Sequence, residues 1–158
     1  MSCGVALAVT LLLSDPNVAL AAALPPPVAD APVSVANEPL FAEIVTRSGA
    51  LKGVVQGWIA AGVVDQADFA AGTAFAGFRT QAVDLAALDM QGHMILKDRG
   101  TDGDLKCILR GISEDIPVKL AAVAAAATPA ERRVALDELA YLLNDNVEVI
   151  TAPPQPPV

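Results

Sequence analysis

From about residue 38 to residue 146, the apolar residues of this chain recur at spacings of three and four. That period puts them on one stripe of an α-helix, which must be buried against another element. Composition narrows the partner. Hydrophobic residues make up 54% of the 158 residues and aromatic residues only 4%, so the core is built from Ala, Leu, Val and Ile. Small aliphatic side chains suit close-packed helices better than a β-sandwich, which draws on aromatic and β-branched residues. The expectation is an all-α, antiparallel helical bundle of about four helices, with proline-rich arms at both ends.

The helices are placed by their stripes and ends. The first is predicted over residues 39–61, with Leu40, Ile44, Leu51, Val54, Val55 and Trp58 as its buried stripe, Asn37 as cap and Gly62 as stop. The second is predicted over 66–98, opening at Asp65 to Asp68 and closing before Gly100. The third begins at T-D-G-D, with Thr101 as cap and Leu105, Ile108, Leu109 and Ile112 as its apolar face. Pro117 breaks or kinks it, since proline lacks the N–H and clashes with the preceding turn; the Ala-rich segment 117–127 continues the helical pattern. The fourth opens at T-P-A-E, where Thr128 caps, Pro129 takes the first helical position and Glu131 completes a capping box. Its face is Leu136, Leu139, Ala140, Leu142 and Leu143.

Outside residues 38–146 the chain changes character. Residues 4–13, GVALAVTLLL, form an apolar run of signal-peptide length, and Ala19 to Ala23 offer A-x-A cleavage sites. Residues 1–23 are read as a signal peptide, although no Lys or Arg precedes Arg47 to supply its positive start. A membrane anchor over the same residues is disfavoured by Asp15 and Pro16, because an Asp at mid-membrane costs about 3 kcal/mol. Membrane contact is expected only if this segment is retained. The reading is therefore an exported protein, bacterial periplasmic or secreted. Residues 24–37 form a Pro/Ala-rich linker and 147–158 a proline-rich tail, in which VEVITA at 147–152 has no strand to pair with. The charge of −8 at neutral pH carries no basic cluster, so nucleic acid is not an expected partner.

Chemistry concentrates in DMQGHMILKDRGTDGDLKC, residues 89–107. Asp89 and His93 are four residues apart on the second helix, within its apolar arc, where a carboxylate could orient an imidazole as a ligand or base. The plainer reading is a satisfied polar contact near a helix end. Cys107 projects away from the apolar arc of the third helix, which argues against a Cys/His/Asp metal site. With Cys3 removed, it would instead be a lone thiol, available for an intermolecular disulfide. As a calcium loop counted from Asp98, the stretch fails at Gly100 and Leu109. Met90, His93 and Met94 share one helix and cannot flank a haem from opposite faces. No cofactor is expected, with metal or haem left open.

A second pattern lies on the first helix. Gly49, Gly53 and Gly57 repeat every four residues opposite the apolar stripe. Each costs about 1 kcal/mol against alanine in a helix interior, and close approach of another helix is the usual reason. No nucleophile elbow, P-loop or dinucleotide fingerprint occurs. The functional expectation is a non-enzymatic protein acting by protein contact or self-association. The alternative is a ligand- or metal-binding bundle using Asp89 and His93.

Overall fold

The computed structural model describes residues 34–100 and 103–152. The apolar segment 1–23, all but the end of the 24–37 linker, the Thr101 cap and the end of the proline-rich tail lie outside the described residues. Within them the chain is all-helical and has no strands. Four helices run Pro39–Ala60 (α1), Thr73–Asp98 (α2), Leu105–Ala125 (α3) and Pro129–Thr151 (α4). Short connections make successive helices antiparallel neighbours, and α1 packs on α4 to close the ring. No helix among the described residues is long and apolar enough to cross a membrane.

Local chemistry explains most of the boundaries. α1 starts at Pro39, whose missing N–H needs no acceptor there; Glu38, not Asn37, is the capping position, and it makes no side-chain cap bond. Gly62 stops α1 in the left-handed region at φ 68°, which glycine adopts without a steric penalty. The second helix does not begin at residue 66. Residues 63–72 instead fold into two 3-10 turns, Val63–Asp65 and Phe69–Ala71, before α2 opens at Thr73. Asp65, expected to help start that helix, pairs with Arg133 at 2.6 Å. Asp104 is the capping position of α3, and α3 runs through Pro117 to Ala125 without interruption. α4 carries the capping box read from its sequence: Glu131 N–H donates to Thr128 Oγ1 at 3.2 Å and Thr128 N–H to Glu131 Oε2 at 3.1 Å. α4 also runs past residue 146 to Thr151, so all of VEVITA but its last residue is helix rather than tail. The reason is Ile150, only 1% exposed, which extends the buried stripe by another turn.

The core is the aliphatic interior expected, with Ile44, Leu85, Leu109, Ile116, Leu136, Leu139 and Leu143 fully enclosed. Four aromatic rings, Trp58, Phe69, Phe75 and Phe78, gather at one end: Trp58 meets Phe69 edge-on at 5.2 Å and Phe78 at 5.1 Å. Phe69 comes from the 3-10 segment, and a buried Arg132 on α4 holds that segment in place. Its guanidinium donates to the carbonyls of Val64 at 2.7 Å and Gln66 at 2.9 Å, and lies over the Phe69 ring. A charged donor suits the Val64 carbonyl, and at Gln66 it joins the Phe69 N–H, which donates to the same oxygen at 3.2 Å.

Close helix packing does use a glycine, but a different one. A Cβ on Gly92 would meet Leu109 Cδ1 and Phe41 Cε1, each at 3.2 Å, and Ile44 Cδ1 at 3.6 Å. Gly92 lets α2 approach α1 and α3 at the same point. Gly49, Gly53 and Gly57 have nothing within 4 Å of such an atom and lie on the exposed side of α1.

Two outcomes follow for stability. Gly92→Leu should lower the unfolding free energy by about 1–3 kcal/mol through overpacking, measured by urea denaturation. Arg132→Met should cost about 2 kcal/mol and shift the Trp58 emission, because Phe69 loses its anchor beside the indole.

Candidate functional site

Burying a polar side chain in a bundle core is costly unless it finds a hydrogen bond. Three such residues meet here. Ser48 on α1, Asp89 on α2 and Asn146 on α4 are each 0% exposed. Each occupies the core phase of its helix: Ser48 falls between Ile44 and Leu51, Asp89 between Leu85 and Gly92, and Asn146 between Leu143 and Ile150. The helical period therefore carries all three inward, and only their chemistry departs from the apolar stripe.

Asn146 organises the group. Its Nδ2 donates to Asp89 Oδ1 and Oδ2, both at 3.0 Å, and to Ser48 Oγ at 3.1 Å. The Asp89–Asn146 bond joins α2 to α4, helices that face each other across the ring rather than side by side. Burial pushes the Asp89 carboxyl up to about 7, with the Asn146 hydrogen bond opposing that rise. Asn146 Oδ1 is buried and has no hydrogen-bond partner among the described residues. The site is thus short of donors, with one amide serving three acceptors.

The expected Asp89–His93 pair is not formed. The Asp89 carboxyl turns into the core towards Asn146, whereas the half-buried His93 ring bonds through Nδ1 to the Lys106 carbonyl on α3. A carbonyl only accepts, so Nδ1 carries the proton. One helical turn separates the two residues, but the Asn146 amide of α4 takes the carboxylate. Cys107 is half-buried in the first turn of α3 and forms no disulfide among the described residues. Among the described residues, no three His, Cys, Asp or Glu side chains gather closely enough to hold a metal ion. Met94, expected at the flank of the apolar arc, is 44% exposed.

Sequence reasoning missed Ser48, Asn146 and Arg132. The first two were detectable as polar residues in phase with an apolar stripe, the signature that singled out Asp89. Arg132 lies in the first turn of α4, where an exposed cation would be ordinary. Its role depends on where the 63–72 segment docks, and local sequence does not specify that.

No family model matches the chain, and neither the curated proteins nor the solved structures offer a match. The functional argument therefore rests on the chain's own residues.

Asn146→Ala removes the side-chain donor to the buried Asp89 carboxyl and should destabilise the bundle by about 1–3 kcal/mol at neutral pH. Chemical denaturation followed by circular dichroism measures it; a loss below about 0.5 kcal/mol, typical of an exposed site, would show that the amide bond contributes little.

Proposed function

We propose that this protein is exported and acts by protein contact rather than catalysis, associating with a second copy of itself through the glycine face of α1. The observation that carries this reading is the open space over Gly49, Gly53 and Gly57. Three interior glycines weaken α1 by about 1 kcal/mol each relative to alanine, and the described fold returns no packing for them. At Gly92 the same residue type admits three side chains from two helices. The contrast supports an intermolecular use for the α1 stripe.

The character of the face agrees. Ala50 and Val54 lie beside the glycines, and Val54, expected in the buried stripe, is 41% exposed. Of the cations on α1, Arg47 is tied to Glu43 at 2.6 Å, and Lys52 turns to Asn144 on α4 at 2.9 Å. A flat, uncharged strip can lie against its own copy about a two-fold axis, where no like charges meet. Export rests on the apolar run at 4–13 and the A-x-A sites at 19–23.

Sedimentation of the mature protein tests the reading. The wild type should form dimers, and Gly53→Leu should be monomeric with helical content no lower than the wild type's, since Leu is the better helix former. A wild type that stays monomeric at every concentration, or a Gly53→Leu variant that still dimerises, would contradict it.

A further inference from the structure

We propose that the Ser48–Asp89–Asn146 junction is a proton-operated latch, in which neutral Asp89 ties α1, α2 and α4 together across the core and ionised Asp89 weakens the tie. It is independent of the α1 contact surface.

Geometry carries the proposal. An ionised carboxylate has about four acceptor positions and no donor, yet among the described residues its only side-chain donor is one Asn146 amide nitrogen shared with Ser48. A buried charge without a cation is strongly disfavoured. The charged groups on the surrounding helices are engaged elsewhere. On α1, Arg47 pairs with Glu43 and Lys52 donates to Asn144. On α3, Arg110 pairs with Glu114, and the Lys106 carbonyl takes the His93 ring of α2. On α4, Glu148 accepts from Asn144, and burial followed by the Glu148 charge pushes the Asp145 carboxyl up. Arg132 is bonded to Val64 and Gln66.

The unpartnered Asn146 Oδ1 gives the second support. A protonated Asp89 gains an O–H donor, and a tilt of the Asn146 amide that sets Oδ1 and Nδ2 side by side against the carboxyl lets Oδ1 accept from one carboxyl oxygen while Nδ2 donates to the other. Protonation therefore satisfies the one atom in the junction that the ionised arrangement leaves without a partner. Ionisation removes that donor and leaves a buried charge.

The direction with pH follows from linkage. The folded carboxyl lies at about 7, against an ordinary value of 3.8. Its contribution is fully present below the ordinary value and is lost as pH rises through about 7. Glu38 and Asp65 act in the opposite sense and in a lower window, since hydrogen bonds from Arg99 and Arg133 hold their carboxyls below the ordinary range. Asp145 shares the direction of Asp89, so an isosteric variant is needed to separate them.

Urea denaturation of the full chain at pH 5 and pH 8, beside Asp89→Asn, provides the test. The wild-type folding constant should fall by about 100-fold between the two pH values, and Asp89→Asn should remove most of that fall. Equal pH slopes in the two proteins would overturn the proposal. A carbon-13 NMR titration of the wild-type Asp89 carboxyl decides the matter even if the variant does not fold. A midpoint near 7 supports the latch, and one near 4 overturns it.

Discussion

The bundle depends most on one hydrogen-bonded contact in its centre, the Asn146 amide against the Asp89 carboxyl. Nearly all the rest of the core is aliphatic, and apolar contacts are non-directional. Leucine and valine stripes fix which face of each helix points inward, but they leave helices free to slide by a turn at small cost. A buried carboxyl that must meet an amide on the opposite helix and share it with a serine on a third does not tolerate such a slip. Ser48, Asp89 and Asn146 therefore set the relative heights of α1, α2 and α4. Gly92, one turn from Asp89, admits Phe41, Ile44 and Leu109 at the same level, so close approach and polar registration occur together.

The other constraints lie at the ends. Arg132 satisfies carbonyls of the 63–72 segment and places Phe69 against Trp58. At the opposite end, Arg99 reaches Glu38 at 2.7 Å, joining the end of α2 to the start of α1. The Arg99–Glu38 surface pair orients the chain more than it stabilises it. The charges are thus concentrated at helix ends and outer faces, leaving the glycine strip of α1 uncharged and open. That arrangement is what allows the strip to serve as a contact surface.

Much of the architecture was legible in the sequence, because a bundle needs only the 3.6-residue period and its stops. Gly62 and the Thr128–Glu131 capping box marked their boundaries by a local mechanism that needs no tertiary partner. The start of α2 was not legible: the D-Q-A-D segment has a helix-opening composition, but Asp65 is taken by Arg133 from a helix almost seventy residues away in sequence. The end of α4 was obscured by Asn146, a polar residue in a core position that hides the continuation to Ile150. The candidate site was half legible for the same reason. Asp89 stood out as a carboxylate in an apolar arc, and its neighbour at four residues looked like its partner. Sequence spacing gives neighbours along one helix, whereas the true partner came from the helix opposite. The glycine pattern on α1 was visible as a repeat, but only the structure shows that its face is open.

A double-mutant cycle tests the central contact most directly. Asp89→Leu, Asn146→Leu and the double variant are compared with the wild type by urea denaturation at one pH. Each single variant leaves a buried polar group without its partner, while the double variant removes both. The two losses should therefore fail to add, with a coupling of about 1–3 kcal/mol. Losses that sum to the double variant's within about 0.5 kcal/mol would show that Asp89 and Asn146 do not register the helices.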